Sequence, residues 1–143
     1  MHRTFRSIAL AAIVALSACI APPRAYVART DRVAVLGGGP AAQAELRGVM
    51  QRATLPKIGT IEITPAYVRY QHTHYGPFDA PLGPTWTHIT WSQVDRVDLY
   101  PNHRAFVYES GAEKTWVQFG TPEDAERFAD LVMSFKAWGA AAK

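Results

Sequence analysis

Cysteine is almost absent from this sequence, which contains one cysteine, Cys19, in 143 residues. A single cysteine excludes an intrachain disulfide and a zinc site built from several thiolates. Strong compositional bias is also absent, because charged residues make up 19% and hydrophobic residues 48% of the chain, which excludes a disordered polyelectrolyte. The length leaves room for one ordinary domain and not for a large two-domain enzyme.

An apolar run near the amino terminus is too short to cross a membrane. This run, residues 8–16, has nine residues, whereas a membrane-spanning helix requires roughly twenty. Arg3 and Arg6 precede the run, and small residues follow it. Basic, apolar and small segments in this order are typical of a secretory signal peptide, which we predict over residues 1–18.

The end of this segment resembles the lipobox of bacterial lipoproteins, in which an apolar residue and two small residues precede an invariant cysteine. The matching residues are Leu16, Ser17, Ala18 and Cys19. The resemblance implies that the chain is cut before Cys19 and that the thiol carries a diacylglyceryl group, usually with a further acyl chain on the new amino terminus. Several acyl chains would hold the protein on a membrane, since each buried CH2 contributes about 0.8 kcal/mol. The alternatives are a secretory signal with a chance cysteine, or an uncleaved anchor.

The residue after the cysteine bears on which membrane is used. Ile20, rather than aspartate, follows Cys19. Under the sorting rule of some Gram-negative lipoproteins, this resemblance favours the outer membrane. We therefore expect a lipid-anchored protein of the bacterial cell envelope that faces the periplasm.

The net charge does not indicate a nucleic-acid partner. The full chain has a formal charge of +3. Removal of residues 1–18 takes away two arginines and leaves 13 basic and 12 acidic side chains, a formal charge of +1. A basic surface that would neutralise phosphates is not expected, and we predict no nucleic-acid partner.

The mature chain divides into a tether and one domain. Residues 19–32 contain a Pro-Pro pair and no hydrophobic periodicity, which predicts a lipidated end and a semi-rigid tether. Residues 33–143 are predicted to form a single α+β domain, with a helix over residues 41–53 and consecutive antiparallel strands from residue 58 onward. Residues 75–85 contain three prolines and two glycines, which predicts a long irregular loop.

The clearest element is an amphipathic helix predicted over residues 122–138. Thr121 is a suitable N-cap, and Pro122 suits the first helical position. Apolar residues then recur at i, i+3, i+4 and i+7, which predicts one buried face. These residues are Phe128, Leu131, Val132 and Phe135. Gly139 predicts the end of the helix.

A strand meander followed by one such helix resembles the pleckstrin-homology-like (PH/GRAM-type) architecture. Residues 89–97 are similar to the strand–kink–strand that such domains often carry before their last hairpins. The resemblance covers about residues 58–138. It implies two small antiparallel sheets in a sandwich or partly open barrel, with the amphipathic helix capping one end. Residues 33–53 are not explained by it.

A glycine-rich turn is similar to the dinucleotide fingerprint G-x-G-x-x-G/A of flavoproteins, with Gly37, Gly39 and Ala42 at the three positions. A strand, a tight turn and a helix N-terminus would hold a pyrophosphate. However, the chain that follows is too short for a doubly wound sheet with a substrate domain, and its later elements are hairpins. A glycine-rich loop that caps a helix is the favoured interpretation, and we predict no cofactor.

The histidines offer a weak alternative in which the protein binds a metal. His72 and His74 would project from one face of a strand, where His88 or His103 could join them. A first-row metal needs three or four ligands, and this spacing guarantees two. Solvated histidines are the favoured interpretation, and we predict no metal site.

Aromatic residues on or beside the predicted loop are the favoured binding residues. Tyr75, Phe78 and Trp86 would serve as contact anchors on a stiff loop. The other interpretation, which the sequence slightly favours, is that they fold back and cover the open end of the barrel. No serine lies in a nucleophile-elbow pattern, so an enzymatic role is unsupported and we predict a non-catalytic protein. The sequence therefore predicts a membrane-anchored binding or accessory module for another envelope protein, with a small-ligand or metal-binding periplasmic carrier as the alternative.

Overall fold

The computed structural model describes residues 21–75 and 81–141, which contain helices and two antiparallel sheets. Two helices come first, α1 over Arg32–Val35 and α2 over Gly39–Gln51. The strands are β1 (Ala53–Leu55), β2 (Lys57–Ile63), β3 (Tyr67–Tyr75), β4 (Pro81–Thr90), β5 (Val94–Leu99), β6 (Arg104–Glu109) and β7 (Ala112–Phe119), with a 3-10 turn (Trp91–Gln93) between β4 and β5. The last element is helix α3, Pro122–Ala141.

The strands form an open two-sheet sandwich. One sheet has the order β1-β7-β6-β5 and the other β2-β3-β4, and every pair of neighbours is antiparallel. In the described part of the chain neither sheet closes into a barrel, because each one has two edge strands. The predicted fold class, an α+β partly open sandwich with a C-terminal amphipathic helix, is confirmed.

The core lies between the sheets and α3. Tyr70 of one sheet reaches Thr115 of the other, with 3.0 Å between the two hydroxyl oxygens. The ring of Trp91 stacks on Phe135 of α3, with ring centroids 5.0 Å apart. Alternate residues of each strand face this interior, because side chains alternate across a strand. The predicted apolar face of α3 is buried, and its residues are Ala125, Phe128, Leu131, Val132 and Phe135.

The start of α3 agrees with the prediction and its end does not. Thr121 Oγ1 accepts a hydrogen bond from the Asp124 amide at 3.2 Å, which confirms the predicted N-cap. The predicted end at Gly139 is wrong, because α3 continues to Ala141. A glycine weakens a helix without terminating it, and the alanines that follow are the strongest helix formers.

The irregular loop predicted over residues 75–85 is wrong for much of its length. Tyr75 is the last residue of β3, and β4 begins at Pro81, which pairs with it. Because β4 is an edge strand, it tolerates prolines, which lack an N–H group. The prolines therefore do not indicate a loop over residues 81–85. Residues 76–80 of the predicted loop lie outside the described part of the chain.

The glycine-rich turn before α2 has a packing role. The apolar residues that precede it form helix α1, not the strand that a dinucleotide fingerprint requires. Gly39 is the first residue of α2 and lies against Trp138 of α3. An added Cβ at Gly39 would lie 2.6 Å from Cη2 of the indole. The fold therefore supports the interpretation of a glycine-rich loop at a helix end.

Candidate binding surface

The outer face of the β2-β3-β4 sheet carries a cluster of polar and aromatic side chains, which we call the Trp86 surface. Its members are Glu62 on β2, Tyr67 and Arg69 on β3, and Trp86 and His88 on β4. Val68 and Tyr70, which alternate with Tyr67 and Arg69 along β3, are buried. Strand alternation thus turns the cluster away from the core.

Hydrogen bonds hold the Glu62 carboxylate in place. Tyr67 Oη donates to Oε1 at 2.6 Å, and Arg69 Nε donates to Oε2 at 2.5 Å. The Tyr67 hydroxyl, together with the Arg69 guanidinium, holds the pKa of Glu62 below its usual value, and the same hydrogen bond raises the pKa of Tyr67. At neutral pH the surface therefore presents an ionised carboxylate and a neutral phenol.

Trp86 is the exposed aromatic residue of this surface. Half of its surface, 50%, is accessible, and the other large hydrophobic residues exposed in the described ranges are aliphatic. The guanidinium carbon of Arg69 lies 5.3 Å from the centroid of the Trp86 ring, within cation–π range. Because Glu62 fixes Arg69, the indole has a preorganised neighbour, which lowers the entropy cost of contact with a partner.

The outer face of the four-stranded sheet is also aromatic, but arginines lie over its rings. The Arg96 guanidinium carbon lies 3.9 Å from the Tyr108 ring centroid, and that of Arg104 lies 4.6 Å from the Trp116 centroid. Phe106 lies beside Trp116, with ring centroids 6.4 Å apart. These aromatic residues are all half-buried, so none is as exposed as Trp86.

Of the three binding residues predicted from sequence, Tyr75 and Trp86 lie on strands. Trp86 lies near the middle of β4, where it pairs with Gln71 of β3. Tyr75 ends β3, but its side chain and the whole of Phe78 lie outside the described part of the chain. Sequence reasoning missed the neighbours of Trp86 on β2 and β3. For Glu62 the sequence does hold a signal, because apolar residues flank it on a predicted strand and this alternation places its side chain on the face away from the core.

The structure separates the histidines that were weighed as metal ligands. His72 is 5% exposed, and its Nε2 forms a hydrogen bond with Thr87 Oγ1 at 2.8 Å, so the prediction of solvated histidines is wrong at this position. His88 is exposed on the opposite face of the same sheet, and His103 lies in the turn after β5. The side chain of His74 lies outside the described part. Within residues 21–75 and 81–141, no group of three or more His, Cys, Asp or Glu side chains could hold a metal ion.

An apolar cleft of about 540 Å³ opens beside the carboxyl end of α3. Its walls come from the turn before β3, the 3-10 turn and the last turns of α3, and they include Pro65, Ala66, Trp91, Ser92, Lys136 and Gly139. The Lys136 ammonium donates to the Asp95 carbonyl at 3.2 Å. The volume lies within the range of small-molecule pockets.

Residues 24–32, which we call the arm, lie along α3. Three polar residues at intervals of four, Glu126, Asp130 and Ser134, form one stripe on the helix that receives the arm. The Arg24 guanidinium pairs with Glu126 at 2.5 Å. The tether predicted over residues 19–32 is therefore wrong from Arg24 onward, where the chain belongs to the folded domain.

Asp130 and Ser134 provide the buried contacts of the arm. Asp130 Oδ1 accepts hydrogen bonds from the Tyr26 hydroxyl and the Arg29 amide, both at 2.7 Å. Ser134 Oγ donates to the Arg29 carbonyl and accepts from the Arg32 amide, both at 3.1 Å. Burial and the bond to Asp130 raise the pKa of the Tyr26 hydroxyl, which therefore remains a donor at neutral pH. The arm thus satisfies polar groups on α3 whose burial would otherwise destabilise the fold.

Comparisons with protein-family models, with curated proteins and with solved structures find no match. Among the described residues, no helix combines the length and the apolar character needed to span a bilayer. The amino-terminal sequence and the surfaces of the domain are therefore the basis for a functional proposal.

Proposed function

We propose that this protein is a bacterial envelope lipoprotein, anchored through lipid on Cys19 and facing the periplasm, which binds another envelope protein through the Trp86 surface. The lipobox-like residues 16–19 support the anchor, and Ile20 favours the outer membrane. The observation that carries the binding role is the half-exposed indole of Trp86 held beside Arg69.

The chemistry of the Trp86 surface suits a protein partner. Tryptophan, tyrosine and arginine are enriched at the energetically important positions of protein interfaces. Glu62 and Arg69 neutralise each other, so they do not create the positive patch that binds nucleic acid. Pro81 and Pro84 lack N–H groups on the edge strand β4, which disfavours strand addition and favours contact with the face of the sheet.

The proposed role is non-catalytic, and the proposed domain type is PH-like. Two donors hold the Glu62 carboxylate ionised, which suits a structural role better than proton transfer near neutral pH. A meander of strands followed by one helix that packs on the sheet supports the PH-like assignment.

Substitution of Trp86 by alanine is expected to weaken binding strongly without unfolding the protein. A photo-activatable amino acid at Gln71, across the strand pair from Trp86, should form one discrete adduct with a partner in intact cells. Loss of an interface tryptophan costs about 2 kcal/mol or more, so W86A should lower affinity at least about 30-fold. Adduct yield and thermal melting measure the two effects.

Trp116→Ala is the matched control, because this indole lies on the outer face of the other sheet. W116A should leave the yield of the Gln71 adduct unchanged. An adduct that survives W86A, or that W116A reduces equally, would count against the Trp86 surface as the binding site.

The cleft beside α3 supports a second candidate function, carriage of a small apolar ligand. Its volume of about 540 Å³ and its largely apolar walls would accommodate such a molecule. Native mass spectrometry of the protein isolated from its cells distinguishes the two functions, because a carrier retains a bound small molecule and a protein-binding module does not.

A further inference from the structure

The arm determines how the domain lies relative to the lipid anchor. We infer that the arm holds the domain close to the bilayer with the β5–β6 turn, residues 100–103, facing the lipid. The β6–β7 hairpin and the apolar cleft then face away from the membrane. This inference rests on the proposed lipidation of Cys19, and it goes beyond that proposal by specifying which surface of the domain faces the membrane.

The arm runs along α3 in the same direction as the helix. Its first contact is with Glu126, near the start of α3, and the later contacts are with Asp130 and Ser134, each about one turn further on. The Arg24 amide also donates to the Leu99 carbonyl, at the end of β5, at 2.5 Å. The chain therefore leaves the domain at the end where α3 begins and β5 ends.

The chain between this exit and the anchor is short. Arg24 lies five positions after Cys19, so their Cα atoms are at most about 17 Å apart in a fully extended chain. Pro22 and Pro23 favour a stiff extended segment. If the chain were unattached as far as Val33, the Cα atoms of Cys19 and Val33 could lie about 48 Å apart. Docking of the arm thus keeps the exit end near the lipid and restricts rotation of the domain.

The two ends of the four-stranded sheet lie at different distances from the exit. Leu99 pairs with Ala105, which places the turn of residues 100–103 at the exit end. Ala112 pairs with Glu109 at the other end of β6. A six-residue strand is about 20 Å long, so Ala112 is expected to lie farther from the bilayer by roughly that distance. The cleft lies beside the carboxyl end of α3, which is also remote from the exit.

Charge attraction to lipid does not set this orientation. At the exit end Arg24 pairs with Glu126, and Arg52 pairs with Asp124 at 2.7 Å. These paired groups offer little net attraction to headgroups, and Arg104, beside the turn, bonds to Gln118 and meets no anionic lipid on phosphatidylcholine vesicles. We therefore expect the orientation to be insensitive to salt, because the hydrogen bonds of the arm and the length of the chain determine it.

Energy transfer from two single-cysteine labels to the membrane tests the orientation. Lipidation consumes the thiol of Cys19, so Asn102→Cys and Ala112→Cys each supply one thiol for a donor dye. The lipidated full chain is reconstituted into phosphatidylcholine vesicles that contain a headgroup-labelled acceptor lipid, after intact mass spectrometry has confirmed the lipid. Transfer should be clearly more efficient from position 102 than from position 112, at both low and high salt.

The outcomes distinguish a failure of the inferred orientation from a failure of the proposed lipidation of Cys19. A matched chain with Asp130→Ala and Ser134→Ala releases the arm, so the difference between the two labels should shrink while lipidation is unchanged. Equal transfer from both positions with the arm intact overturns the inference and leaves the lipid anchor standing. A chain without lipid on Cys19 overturns both, and the mass spectrum identifies that failure.

Discussion

Substitution of Trp91 by alanine is expected to lower the free energy of unfolding by about 3–5 kcal/mol, the range for removal of a large buried aromatic side chain. Trp91 is 1% exposed and stacks on Phe135 of α3. Its Nε1 also donates to the Thr64 carbonyl at 3.0 Å. The substitution removes both the stacked ring and this donor. Denaturant unfolding followed by circular dichroism measures the loss.

Two further variants separate the contributions of the ring and of the hydrogen bond. Trp91→Phe keeps a ring against Phe135 but removes the donor to Thr64, so a loss of about 1–2 kcal/mol is expected. W86A removes a half-exposed ring and should cost less than about 1 kcal/mol. A loss from W91A as small as that from W86A would be incompatible with a core position for Trp91.

Replacement of Asp130 by alanine is expected to detach the arm and to lower the free energy of unfolding by about 2–3 kcal/mol. One carboxylate oxygen of Asp130 accepts hydrogen bonds from both the Tyr26 hydroxyl and the Arg29 amide. Without it, the two donors are either buried without an acceptor or exposed by release of the arm. Hydrogen exchange should show that the amides of Arg29 and Arg32 lose most of their protection, whereas the amides of β6 remain protected.

Two variants of neighbouring groups serve as controls for Asp130. Asp130→Asn keeps a side-chain oxygen in the same place and should retain most of the protection of the arm. Glu126→Ala removes a partly exposed ion pair with Arg24, which contributes about 0–1 kcal/mol, so the arm should stay attached. Unchanged exchange at Arg29 in the D130A variant would show that Asp130 does not hold the arm.

Helix α3 and the strand meander could be predicted because their signals are local. Thr121 caps the helix by accepting a hydrogen bond from the amide of Asp124, three residues further on, and the spacing of Phe128 and Phe135 marks the buried face. β4 could not be predicted in the same way, because Pro81 and Pro84 are compatible with a strand only at a sheet edge. Which strand forms an edge is set by tertiary pairing that no local pattern records.

The arm could not be predicted because its contacts are distant in sequence. Its partners on α3 lie 101 to 105 positions further along the chain. The Trp86 surface could be predicted in part, since Trp86 stands out in the sequence as an aromatic residue. Its neighbours Arg69 and Glu62 depend on the register of three strands, which only the paired sheet defines.

The lipid on Cys19 is the feature on which the proposed location and orientation both depend, and intact mass spectrometry of the protein extracted from membranes tests it most directly. A C19A variant, extracted in the same way, is the control and should carry no lipid. The expected chain begins at Cys19, and its mass exceeds that of the polypeptide by a diacylglyceryl group and an amino-terminal acyl chain. A chain that retains residues 1–18, or one that lacks them but carries no added lipid, would contradict the proposed anchor.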